Sequence, residues 1–77
     1  MGIKMKQYLT GHICKTTGVK RNRLQAWIES GFISPSIKKA SGHGTRNIWS
    51  EEDIEKIRRF KALVELGYHR KLAAKLI

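Results

Sequence analysis

Three stretches of this 77-residue sequence predict a mainly α-helical fold of four helices with a small β-hairpin wing, a winged helix-turn-helix. The first is Thr17-Gly18-Val19, a tight turn that opens a helix apolar on one side and basic or amide on the rest. The second is a basic, glycine-interrupted extended region over residues 37–49. The third is Ser50-Glu51-Glu52-Asp53, a strong start for a long helix.

The elements follow in order. Thr10 is placed to cap a first, supporting helix over 11–17, with Ile13 and Thr17 one turn apart and His12 and Lys15 facing elsewhere. Gly18 supplies the left-handed conformation needed past that helix end. The second helix should run from Lys20 to Glu29, with Leu24, Trp27 and Ile28 at the i, i+3, i+4 spacing of a buried stripe, and Gly31 ending it. Opposite that stripe lie Asn22 and Ala26, with Arg21, Arg23, Gln25 and Glu29 on the flanks.

Pro35 biases Ser34 away from helix, so the chain leaves extended and continues through Ile37-Lys38-Lys39. A tip over 40–45 carries two glycines, and Arg46-Asn47-Ile48-Trp49 returns as the second strand of the wing. In the third helix Ser50 is the N-cap and Asp53 completes a capping box. Ile54, Ile57, Phe60, Leu63 and Leu66 form its apolar stripe, interrupted by Lys61, and Gly67 is its stop. A last helix after Tyr68 should pack through Leu72, Ala73, Leu76 and Ile77. Both tryptophans fall on inward faces, which makes them core residues rather than base-stacking platforms.

Length and charge narrow the function. A chain of this size builds one domain, residues 1–77 with a flexible start over 1–7, and leaves no room for an enclosed active site beside its core. No Ser-His-acid or paired-carboxylate arrangement exists, so the expectation is a protein that is not an enzyme. His12, Cys14, His43 and His69 lack the spacing of a zinc site, and neither metal nor cofactor is expected. Sixteen Lys and Arg against six acids give a net charge of +10, the electrostatic footprint of a nucleic-acid partner. Residues 1–50 carry nine of those bases and a single acid, Glu29, which places the functional surface in the first two thirds. A lone Cys14, the absence of any span or signal segment, and Lys6 where a myristoylation pattern wants Ser or Thr all suit a cytoplasmic protein off the membrane.

Residue chemistry then assigns contacts. Lys20, Arg21 and Arg23 can bond guanine O6 and N7, Asn22 and Gln25 fit adenine N6 and N7, and Ala26 permits close approach or contact with a thymine methyl. Lys38, Lys39 and Arg46 suit phosphates, and His43 at the wing tip is a candidate for a minor groove.

Read from end to end, residues 8–77 resemble the winged-helix DNA-binding domain of the MerR family of bacterial transcription regulators. The resemblance rests on Tyr8, Thr17-Gly18-Val19, Leu24, Trp27, Gly31 before two apolar residues and Pro35, the run from Gly44 to Ile54, and Leu66-Gly67-Tyr68. It implies double-stranded DNA as partner, with Lys20, Arg21, Asn22, Arg23 and Gln25 at the major groove. Lys38, Lys39, Thr45 and Arg46 would then lie on the first wing, and His69, Arg70 and Lys71 on a second wing after the third helix. Two departures stand out: Arg23-Leu24-Gln25-Ala26 where the family commonly has Thr-Leu-Arg-Tyr, and Thr45 where it usually has an aromatic. Family members continue into a dimerising helix and usually an effector domain, so this segment is expected to be monomeric alone and to bind no small-molecule effector. The resemblance also extends to the excisionase-like winged helices of phages and mobile elements, which bend DNA. Outside DNA binding, the alternatives are a basic protein-interaction adaptor and an RNA binder, the latter disfavoured by the lack of exposed aromatic platforms.

Overall fold

The computed structural model describes residues 6–41 and 44–77. Its elements are β1 (Tyr8–Leu9), α1 (Thr10–Thr17), α2 (Arg21–Glu29), β2 (Ile48–Trp49), α3 (Glu51–Glu65) and α4 (Arg70–Leu76). The fold is mainly helical, with four helices around one apolar core and a wing, as a winged helix-turn-helix requires.

The turn between α1 and α2 is three residues long and held at each position. Gly18 sits at φ 75°, where a Cβ would be strained, and its N–H donates to the Cys14 carbonyl at 2.9 Å. The Thr17 hydroxyl donates back to Ile13 O at 2.7 Å and accepts from the Val19 N–H at 3.4 Å. Lys61, which interrupts the α3 stripe, reaches across this turn: its Nζ donates to Thr17 O at 3.3 Å, a cation placed on the negative end of α1. The stripe is therefore interrupted by a residue that joins two helices.

α2 buries Leu24, Trp27 and Ile28. It ends at Gly31, φ 80°, where Phe32 N–H donates to Trp27 O at 3.0 Å and turns the chain out. Trp27 and Phe60 of α3 meet in a T-shaped contact at 4.6 Å between centroids, and Trp49 is fully buried. α3 has the capping box its sequence promises. Ser50 Oγ accepts from the Asp53 N–H at 3.2 Å, and Asp53 Oδ2 accepts from the Ser50 N–H at 2.9 Å. The same carboxylate accepts from the Ser36 N–H at 2.9 Å and lies 2.9 Å from the Ser36 hydroxyl, so the segment leaving α2 is tied to the start of α3.

Three expectations are corrected. Thr10 does not cap α1; Leu9 holds the N-cap position without a side-chain bond, and the Thr10 hydroxyl instead accepts from the Trp49 indole N–H at 3.1 Å. Strand β2 does return against the outgoing arm of the wing, but there the pairing is one antiparallel bridge, Lys38 to Ile48; its other edge pairs antiparallel with β1, Tyr8 against Trp49 and Leu9 against Ile48. Leu72 and Leu76 are 48 and 55 % exposed, because α4 packs through Ala73, with Ala74 and Ile77 partly buried beside it, and its leucines fall on the outer side; Leu66, the C-cap of α3, is 75 % exposed and stands outside that helix's buried stripe.

Candidate nucleic-acid interface

The buried stripe of α2 decides what its other sides present. Lys20, just before the helix, and Arg21, Asn22, Arg23, Gln25 and Ala26 within it are all exposed. At about 100° per residue, Asn22 and Ala26 point away from the core, Arg21 and Gln25 share one flank, and Arg23 lies on the other. The two flanks differ in their surroundings. The Arg23 guanidinium lies 5.2 Å from the centroid of the Trp27 ring, a cation–π contact that holds it over the indole. Gln25 Nε2 donates to Glu29 Oε1 at 3.3 Å, so the acid of this helix is paired within it.

Arg21 and Gln25 face an open cleft of about 810 Å³. Its other lining comes from the wing, through Ala40, Thr45, Arg46 and Asn47, and from the segment Gln7–His12. The structure thus brings Arg21 and Gln25 of α2 and Arg46 of the wing around a single opening. Among the described residues its charged lining is Arg21 and Arg46, both cationic, which makes it an anion-attracting opening.

The wing owes its shape to polar side chains rather than to strand pairing. Asn47 Oδ1 accepts from the Ala40 N–H at 2.8 Å, and Thr45 Oγ1 accepts from the Ser41 N–H at 2.8 Å. Both side chains cross the loop, which explains a threonine at position 45: a short hydroxyl reaches the opposing backbone. Lys38 and Lys39 are exposed on the outgoing arm. His43, named as a wing-tip contact, lies outside the described residues.

The third group sits elsewhere. Arg70 and Lys71 are exposed at the start of α4, and His69 caps that helix, its Nδ1 accepting from the Lys71 N–H at 3.3 Å. They line a separate depression of about 350 Å³ with Phe32, Val64, Gly67 and Tyr68, so the cleft does not include them.

Sequence reasoning missed the Gln7–His12 segment. Its connection to the wing runs through β1, a strand of two residues whose partners, Trp49 for Tyr8 and Ile48 for Leu9, are far along the chain, and no local pattern announces such a pairing. The one available signal was the aromatic and imidazole pair at i, i+4: Tyr8 and His12 stack at 4.5 Å between ring centroids.

A short turn between two helices, an exposed polar face on the second, and a basic loop beside it define a DNA-binding helix-turn-helix with a wing. The family comparison agrees with that class, since the MerR HTH family regulatory protein model matches residues 8–77. The chain belongs to the MerR HTH family, a family of DNA-binding transcription regulators rather than of enzymes. Among similar proteins are uncharacterized HTH-type transcriptional regulators of Mycobacterium bovis and Mycobacterium tuberculosis, each 30% identical over 54 residues. That match takes in 70% of this chain and 24% of each relative, so the chain spans about a quarter of the length of the relatives it matches.

Proposed function

We propose that residues 1–77 form one sequence-specific binding unit for double-stranded DNA that serves transcription regulation, with α2 in the major groove and the wing on the adjoining backbone. The observation that carries this reading is the shared opening between Arg21 and Gln25 of α2 and Arg46 of the wing. Asn22 and Ala26, at the centre of the outward face, reach base edges, and Lys20, Lys38, Lys39 and Arg46 take phosphates. Arg23, resting on Trp27, contributes charge at the groove edge more than base discrimination. His69, Arg70 and Lys71 would meet the backbone farther along the duplex.

Selection from a randomised duplex pool, followed by binding of the enriched site and a scrambled one, tests this. Asn22→Ala is expected to lose about 1–3 kcal/mol on the enriched site and little on the scrambled one. Arg46→Ala is expected to weaken both alike and to flatten the log–log salt slope by about 0.9. A pool that enriches nothing, with affinity indifferent to salt, overturns the proposal. If two half-sites emerge as a palindrome about one helical turn apart, the unit acts in a dimeric regulator, whereas tandem half-sites indicate an architectural role.

A further inference from the structure

The cleft lies where DNA geometry needs an opening. A helix in the major groove and a wing on the neighbouring minor groove are separated by one sugar-phosphate strand, which must run between them. On the DNA-binding reading above, that strand occupies the cleft bounded by Arg21, Gln25 and Arg46. The segment Gln7–His12 is then the part of the protein beneath it, because α1 packs on α2 while β1 pairs with β2 at the base of the wing.

We infer that His12 is a phosphate contact, held in position by Tyr8, and that it completes the clamp formed by Arg21 and Arg46. The imidazole is oriented from both sides, stacked on Tyr8 with 13° between the planes and with its Nε2 3.2 Å from the Thr16 hydroxyl. If Thr16 donates to Nε2, the neutral ring carries its proton on Nδ1 and offers it to a phosphate oxygen; the protonated ring adds a positive charge to the same bond. Among the described residues the charged groups that share its cleft are Arg21 from α2 and Arg46 from the wing, and Tyr8 is the titratable group stacked against it. Among the described residues no acid lines the cleft, so the anion supplied by DNA is the natural counter-charge for these cations.

The experiment is fluorescence anisotropy with a labelled mixed-sequence duplex, run over a salt series at the two ends of the histidine range, about pH 5 and pH 8. The quantity read is the difference between each variant and the native protein. His12→Ala is expected to weaken binding about tenfold at the acid end and to flatten the salt slope there by about 0.9. His12→Gln, which keeps a donor but not a charge, should recover most of the loss at the alkaline end and none of the slope at the acid end. His12 is exposed, and matching thermal melts for the variants exclude unfolding as the cause. If Arg46→Ala and Lys39→Ala weaken binding while His12→Ala equals the native protein at both pH values, the clamp is wrong and the DNA-binding reading stands. If none of these variants changes binding at any salt concentration, the underlying reading falls too.

Discussion

Replacing Asp53 should test how the wing is anchored, since one carboxylate oxygen serves three groups on two segments. Asp53 is 2 % exposed, and its Oδ2 accepts from the Ser50 N–H and the Ser36 N–H, each at 2.9 Å, and sits 2.9 Å from the Ser36 hydroxyl. In Asp53→Ala the Ser50 N–H is left buried without a partner, worth about 2 kcal/mol. Ser36 is exposed, so water replaces much of what it loses, leaving roughly 0.5–1 kcal/mol there. The removal of a negative charge from the first turn of α3 adds about 0.5 kcal/mol. The expected cost is therefore about 3–3.5 kcal/mol, a large share of the roughly 4–12 kcal/mol that a chain of this length has in total. In a thermal melt that is a fall of roughly 12–30 °C. Asp53→Asn keeps an acceptor oxygen without the charge and should lose about half as much, since neutral hydrogen bonds are about half as strong. Urea denaturation followed by circular dichroism measures both. A loss under about 0.5 kcal/mol for Asp53→Ala, or equal losses for the two variants, refutes the reasoning.

Other outcomes follow from single contacts. Gly18→Ala forces a Cβ into φ 75° at the helix-turn-helix corner and should cost about 1–2 kcal/mol of stability by urea denaturation. Glu29→Gln removes the acid of the α2 surface and should tighten binding to any duplex by a few-fold at low salt, with the gain vanishing at high salt in an anisotropy titration. Lys61→Met keeps the apolar stem but releases the Thr17 carbonyl, and should lower the melt by several degrees, consistent with about 1 kcal/mol for a charged group at a helix end.

What the sequence made legible was whatever a local pattern encodes. The stripes of α2 and α3, the Ser50–Asp53 box and the glycines at 18, 31 and 67 are each dictated by neighbours within one or two helical turns. The β1–β2 pairing was not, because two-residue strands show no alternation. Nor was the burial of the last helix. Periodicity says that Leu72 and Leu76 share a side, but Ala73, with its small side chain, is what lets α4 approach α3 closely, and that turns the leucines outward. At the site, charge and amide content marked α2 and the wing, whereas the cleft between them depends on tertiary placement of Gln7–His12. The role of Thr45 as a bridge within the wing was hidden for the same reason.

Nitrogen-15 chemical-shift mapping of the protein with a mixed-sequence duplex, at low and high salt, reads out which surface meets DNA. Salt-sensitive shifts are expected in residues 20–26, in the wing over 38–47 and at His12, with the Trp27 and Trp49 indole signals little changed because both rings are buried. Shifts confined to α3 and α4, or none at low salt, would contradict this placement of DNA.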